Sequence, residues 1–211
     1  MTWSVNKKAE SLPGNMGGTC ECCGLKIVSS PEGHLFIAFR SNINNIRDIW
    51  LARSLDKGMT FEPSLKLSSG DWTINACPVS GPNIALDAAE GAHIVWRDVR
   101  DDSGGTSHVY YAYVPSGSNA TPANTAFDAA GAQMANYGDV AIYGNIRVLT
   151  YQTMNYGTRY ILYKDNQPLV NNRPIPSGNA QQFPNVVFTS DGTRYLAWPD
   201  GRNDAGNIYF C

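Results

Sequence analysis

The residues most able to do chemistry fall into two groups. The first is sulfur: Cys20, Cys22 and Cys23 lie within four residues, with Cys77 and Cys211 well separated from them. Such clustering is too local for scattered core thiols. Two chemistries suit it: a disulfide from Cys77 to one of the triplet, or four thiolates (Cys20, Cys22, Cys23 and Cys77) around a soft ion such as Zn²⁺ or Cu⁺. An odd total leaves at least one thiol over, and Cys211 is the expected one. The second group is a set of polar stretches rich in Arg, Asp and Asn. They are Arg40, Asn42, Asn45, Arg47 and Asp48; then Arg97, Asp98, Arg100, Asp101 and Asp102; then Gln152, Asn155, Tyr156 and Arg159; finally Asp200, Arg202, Asn203 and Asp204. Guanidinium forks match carboxylates bidentately, so these stretches suit an acidic ligand, or ion pairs that tie loops together. Trp72 and Asn75 precede Cys77 and add an aromatic and an amide.

The elements that must position these residues show almost no helical periodicity. A pair of apolar strands joined by a glycine turn occurs four times: IVSSPEGHLFIAFR, IALDAAEGAHIVWR, VAIYGNIRVLTY and VVFTSDGTRYLAW. Gly33, Gly91, Gly144 and Gly192 mark the turns, where a positive φ is expected. A third strand follows each copy: DIWLARS, HVYYAYV, RYILYK and NIYFC. The turns recur at intervals of about fifty residues, the length of a four-stranded propeller blade. The fold class expected is all-β, a four-bladed propeller of antiparallel strands, with part of a larger propeller as the alternative. Blades are expected at about 24–67, 79–128, 138–176 and 184–211. Residues 2–9 should return as the missing strand of the last blade, because MTWS matches MTFE of Met59–Glu62 in register. An open two-sheet β-sandwich is the plainer alternative.

The turn between the third and fourth strands of the first unit reads SLDKGMTF, with Ser54, Asp56, Gly58, Thr60 and Phe61 at fixed offsets. Asp56 and Ser54 can accept backbone N–H groups across the turn, Gly58 can adopt φ > 0, and Phe61 can pack into the blade. The stretch resembles the Asp-box (BNR repeat) signature of sialidase-like β-propellers, where it occupies the same turn and is structural. RDIWLARSLDKGMTF, DWTINACPVSGPNIALD and HIVWRD extend the resemblance over residues 20 to 100.

The resemblance implies a sialidase-type site in which three arginines hold the substrate carboxylate. Arg40, Arg97 and Arg202 follow three second strands and are the candidates. It also implies a Tyr nucleophile paired with Glu, and an Asp acid. Glutamates are scarce. Glu32 and Glu90 fall in turns on the opposite face and Glu62 on an outer strand, leaving Glu21, with Asp98 as the acid candidate.

In a propeller, the loops from strand two to three and from strand four to the next blade open on one face, the usual ligand side. The ligand-binding candidates on that face are Arg40, Asn45, Arg47, Asp48, Trp72, Arg97, Asp98, Arg100, Tyr156, Asp200 and Arg202. The leading expectation is a non-catalytic module for an acidic or carbohydrate ligand. A sialidase-type exo-glycosidase and a cysteine-pinned or metal-binding scaffold are the alternatives.

Composition narrows the partners. Of 211 residues 43% are hydrophobic and 16% charged, against a usual ~25% charged. Net charge is −2 and no Lys/Arg run stands out, which argues against nucleic acid. No apolar stretch reaches the ~18 residues of a membrane span, and MTWSVNKKAE is no signal peptide. Oxidised cysteines would point to an exported or periplasmic origin.

Overall fold

Strand alternation settles where each side chain goes. In β2 (Leu35–Arg40), Phe36 and Ala38 face one way, while Ile37 and Phe39 face the other. In β3 (Ile49–Ser54), Ile49 and Leu51 join the first set, Trp50 and Ala52 the second. A sheet apolar on both faces must be covered on both. That requirement produces the architecture seen in the computed structural model, which describes residues 5–13, 18–100, 106–128, 132–155, 157–166, 173–174, 181–201 and 206–211.

The described residues form four antiparallel meanders and no α-helix. Blade 1 is β1 (Lys26–Ser29), β2, β3 and β4 (Leu65–Lys66). Blade 2 is β5 (Asn83–Leu86), β6 (Ala92–Asp98), β7 (His108–Val114) and β8 (Asn124–Ala126). Blade 3 is β9 (Gln133–Tyr143), β10 (Ile146–Asn155), β11 (Thr158–Asp165) and β12 (Arg173–Pro174). Blade 4 is β13 (Asn185–Phe188), β14 (Arg194–Asp200) and β15 (Asn207–Phe210). The chain is an all-β propeller, with the first strands of successive blades side by side: β1 against β5, β5 against β9, β9 against β13.

Apolar clusters fill the wedges between blades. Ala38, Leu51, Ile94 and Trp96 join blades 1 and 2. Val95, Val109, Val140 and Tyr151 join blades 2 and 3, and Ala141, Val148, Leu196 and Trp198 join blades 3 and 4. Among the described residues no such cluster joins blade 4 to blade 1. The outer face of blade 1 is covered instead by the N-terminal segment: Leu12 packs with Phe39 and Trp50, and the Ser11 and Ser64 backbones pair at 3.0 Å. The outer side of blade 4 leaves Ile208 and Phe210 at 81% and 73% exposure. Residues 1–4 of the expected closing strand lie outside the described residues. Residues 5–9 form no strand, and Lys7 Nζ donates to Met59 O (3.2 Å), in blade 1.

The turns hold one surprise. Gly33, Gly144 and Gly192 have φ of 89°, 54° and 85°, but in the second blade it is Glu90 that is left-handed, at 62°. Gly91 is needed for space: a Cβ there would collide with the Tyr113 hydroxyl and an Asp87 carboxylate oxygen. In SLDKGMTF, Gly58 N–H donates to Ser54 Oγ (2.8 Å), Thr60 N–H to Asp56 Oδ1 (2.8 Å), and Thr60 Oγ1 to Asp56 Oδ2 (2.6 Å). These bonds close the turn on itself and hold the Asp56 carboxyl down at about 2.

Candidate functional site

Register relates the arginines to one another. Arg40 ends β2 opposite Ile49; Asp98 ends β6 opposite His108; Asp200 ends β14 opposite Asn207. The bridges Thr19–Ser41 and Gln181–Asp200, with Cys20 N–H to Arg40 O and Gln182 N–H to Pro199 O, make Ser41 the counterpart of Asp98 and Asp200, and Arg40 the counterpart of Arg97 and Pro199. One residue along a strand reverses the face. Arg40 and Asp98 turn into the blade 1–blade 2 wedge, whereas Arg97 turns with Val95 toward blade 3.

In the first wedge Arg40 and Asp98 are saturated. Arg40, 1% exposed, donates Nε to Ser80 O (3.0 Å), NH1 to Arg47 O (2.6 Å) and NH2 to Arg97 O (2.7 Å). Burial lowers its guanidinium to about 10, against the pull of Asp98, and leaves it charged at neutral pH. Asp98 accepts from Trp96 Nε1 (3.2 Å), the Val99 and Arg100 N–H groups, and the Arg100 guanidinium. Arg100 also reaches Asn124 Oδ1 (3.0 Å) and lies over Tyr110. Trp198 Nε1 to Asp200 Oδ2 (3.3 Å) repeats the Trp96–Asp98 bond in blade 4. Asp48 is buried, its carboxyl raised by desolvation against the opposing pull of Lys66 Nζ at 2.7 Å. These candidates tie loops together and offer little to a ligand; Arg40, Asp48, Asp98, Arg100 and Asp200 are structural in this setting.

The cysteines converge as expected. Cys22 and Cys77 form a disulfide, with Cα atoms 6.4 Å apart. The Gly24 and Gly81 backbones then approach so closely that a Cβ on Gly81 would collide with Gly24 O. Cys20 is buried and Cys23 half-buried, both as thiols, and Cys211 is exposed, likewise free. Burial first, then the Cys20 thiol, pushes Cys23 up to about 11. Glu21 is exposed on the same turn.

The open part of this face lies further round. A cavity of about 230 Å³ is lined by Arg97, Ser107, Met134, Asn136, Tyr137, Gln152, Met154, Arg159 and Gln182. Trp72 positions its arginine: the 42–47 and 72–75 loops pair through Arg47 N–H to Trp72 O (2.8 Å) and Ile74 N–H to Asn45 O (3.0 Å), and Arg97 Cζ lies 5.6 Å from the indole centroid. Arg97 NH1 reaches Pro78 O at 3.4 Å, but its Nε has no hydrogen-bond partner among the described residues. Burial lowers the Arg97 pKa, so a bound anion that pairs the charge would be favoured.

Tyr137 also lines a second cavity of about 280 Å³, where the four first strands begin. Its rim carries Leu25, Val79, Gly138, Phe183 and Asn185. Val79, Tyr137 and Phe183 hold φ of 51°, 49° and 45°, and Met134 beside them 52°. Left-handed backbone is costly for β-branched and bulky residues, and such strain gathers at working sites. The β9–β10 ladder slips twice, between Thr150 and Gln152 and between Gln152 and Met154, which re-aims Gln152 and Met154 into the cavity. Tyr137 and Phe183 meet edge to face at 4.3 Å between centroids, an aromatic rim beside two guanidiniums.

Sequence reasoning found Arg97, Trp72, Gln152 and Arg159, and missed Tyr137 and Phe183. Tyr137 lies within β9, in NYGDVAIY, at the slipped end of its ladder, and Phe183 stands two residues before β13, in FPNVVF, the loop class that holds Cys77 in blade 2. Asp101, Asp102, Tyr156, Arg202, Asn203 and Asp204 lie outside the described residues, and so does the side chain of Asn155. The largest cavity, about 600 Å³, is on the opposite face between blades 2 and 3, lined by His93, Tyr111, Tyr113 and Arg147. Its polar groups bond to one another: Arg147 NH1 to Tyr111 OH and His93 Nδ1 with Tyr111 OH, both 2.8 Å, and Tyr113 OH to Asp87 Oδ2 (3.1 Å).

Four blades set side by side through their first strands define a β-propeller. No protein-family model matches the sequence, and no curated protein does. Solved structures do match. A Penicillium chrysogenum α-L-arabinanase shares 14% identity with a TM-score of 0.59, over 88% of this chain and 60% of its own. A Hadza microbial sialidase shares 16% with 0.60, over 89% and 43%. A xylan β-1,4-xylosidase from Bacillus halodurans shares 12% with 0.51, over 93% and 42%. Likeness at these identities shows the propeller fold. The chain spans between about two fifths and three fifths of those proteins.

Proposed function

We propose that the loop face binds an acidic saccharide without hydrolysing it. Arg97 carries this reading: a guanidinium held by Trp72, facing a cavity with one donor unpartnered. Arg159 supplies a second positive charge for a carboxylate. Ser107, Asn136 and Gln152 supply hydroxyl and amide groups for sugar oxygens, and Tyr137 with Phe183 offers ring faces for the apolar side of a pyranose. The sugar-processing names of the structural relatives agree with a saccharide. Binding is favoured over hydrolysis because glycoside cleavage needs two carboxyl groups astride the bond, and no described side chain lining either cavity has one.

Calorimetric titration with sialic acid, oligogalacturonate and neutral arabino- and xylo-oligosaccharides tests this. An acidic sugar should bind, no reducing sugar should be released, and Arg97→Ala should weaken binding about tenfold or more, the loss of one charged hydrogen bond. Preference for the neutral sugars, indifference to Arg97, or steady release of product would each overturn it.

A further inference from the structure

The Cys22–Cys77 bond uses two sulfurs of a four-sulfur cluster, and the other two are placed as closely as the bonded pair's surroundings allow. Cys20 Sγ lies 3.6 Å from Cys22 Sγ, and the turn Cys20–Cys23 is closed by Cys23 N–H to Cys20 O (3.2 Å). All four Sγ atoms lie within 4.8 Å of one another. A tetrahedral ion with metal–sulfur bonds of about 2.3 Å sets its ligands about 3.8 Å apart; the Cys20–Cys22 edge is in place, the bonded Cys22–Cys77 edge must open by about 1.8 Å once reduced, and no other edge need close by more than about 1 Å.

Charge points the same way. Four thiolates around a divalent ion carry a net charge of −2, unwelcome in a protein interior unless matched. Two buried arginines face the cluster. Arg47 NH1 donates to Cys20 Sγ at 3.5 Å, and the Arg40 charge acts on both Cys20 and Cys23. Arg47 is 6% exposed, and its buried Nε has no partner among the described residues. A disulfide with two neutral thiols offers these cations no negative charge beyond that of Asp98 near Arg40; a divalent tetrathiolate adds two.

We propose that the reduced cluster of Cys20, Cys22, Cys23 and Cys77 is a binding site for a thiophilic d¹⁰ divalent ion such as Zn²⁺, which the Cys22–Cys77 disulfide closes. A dithiol reductant opens it: the S–S bond breaks, each sulfur gains an electron and a proton, and the dithiol is oxidised to its own disulfide. The ion then enters as four S–H protons leave to solvent. The site is separate from the saccharide cavities and does not depend on their reading.

The full chain is reduced with excess dithiol, desalted without oxygen and titrated with Co²⁺. One ion per chain should bind, with a thiolate-to-cobalt charge-transfer band and the visible bands of a tetrahedral centre, bleached by Zn²⁺. The oxidised chain should show neither. Cys20→Ser and Cys23→Ser keep the disulfide pair and so fold when oxidised; each should weaken Co²⁺ binding at least tenfold after reduction, while Cys211→Ser leaves it unchanged. Absence of bands in the reduced chain, or bands unaltered in the Cys20→Ser/Cys23→Ser double variant, would overturn the proposal. Thermal unfolding is a second measurement: Tm of the reduced chain should rise with Zn²⁺ over a chelator control, and an equal Tm refutes the site.

Discussion

The blade 1–blade 2 wedge and the blade 2–blade 3 wedge hold arginines at equivalent register positions, Arg40 and Arg97, yet the two act in opposite ways. Arg40 has all its forks on backbone carbonyls and joins three loops. Arg97 keeps one weak backbone contact, rests on Trp72 and faces open space. The first wedge is also locked by a disulfide and by thirteen buried core residues; the second is bulged and carries left-handed backbone at Met134 and Tyr137. An arginine near a loop face becomes a ligand clamp only where the neighbouring backbone leaves its hydrogen-bonding capacity unused.

The largest effect that tests this contrast comes from replacing each arginine with Met. Arg40→Met strands three buried carbonyls and removes one of the two cations beside Asp98, so unfolding free energy should fall by about 3–5 kcal/mol. Arg97→Met orphans little and removes a charge that burial disfavours, so stability should move by less than about 1 kcal/mol while binding is lost. Denaturant unfolding of the two variants side by side measures the difference. Equal destabilisation would erase the distinction between tie and clamp.

How far the sequence revealed these roles depends on the length scale of the cause. Blade spacing, turn glycines and the Cys77 approach to the triplet were legible because they follow from period and local turn chemistry, as in Gly33, Gly192 and the Asp56 turn. Arg40 and Arg97 were legible as counterparts because each follows the aromatic residue near the end of a second strand, Phe39 and Trp96; Pro199 stands at that place in blade 4, and Arg202 lies outside the described residues. What the sequence does not show is which backbone carbonyls each guanidinium meets: Ser80 O, Arg47 O and Arg97 O for Arg40, but Pro78 O for Arg97. Tyr137 and Phe183 were illegible for a different reason: their φ is imposed by the bulged ladder and the converging first strands, and nothing in NYG or FPN announces it. The N-terminal segment follows the same rule. Residues 1–4 lie outside the described residues, and Leu12 packs on Phe39 and Trp50 of blade 1, a contact between distant segments that no local pattern announces.

Opening the Cys22–Cys77 bond sharpens the contrast from the locked side. The bond closes a loop of 55 residues, and its loss in a Cys22→Ser/Cys77→Ser variant should cost about 2–4 kcal/mol, through the freed entropy of the unfolded chain. Saccharide binding near Arg97 should survive at native temperature, because the second wedge is held by its own core of Val95, Val140 and Tyr151. Chemical denaturation with and without an acidic sugar separates the two effects. Joint loss of stability and affinity at low denaturant would show that the wedges are one unit.

The smallest effect asks whether the halves differ on the opposite face as well. Asp56 in blade 1 and Asp191 in blade 4 sit in turns built alike. Thr193 N–H donates to Asp191 Oδ1 (3.0 Å) and Thr189 Oγ1 donates to the same oxygen (2.5 Å), while Thr60 gives its N–H to Asp56 Oδ1 and its hydroxyl to Oδ2. Hydroxyl and backbone donors hold both carboxyls down at about 2, against about 3.9 for an unfolded Asp. A depressed folded value means each carboxylate stabilises the fold fully above about pH 4 and loses that contribution as pH falls through about 2, where the unfolded chain has already taken up its proton. The Tm differences between wild type and Asp56→Asn, and between wild type and Asp191→Asn, should therefore both shrink across that window. Carboxyl ¹³C titration should give the two residues matching low midpoints. An Asp191 that titrates near 4 while Asp56 stays near 2 would extend the asymmetry of the blades to both faces. Matching curves confine it to the loop face, where the first strands begin.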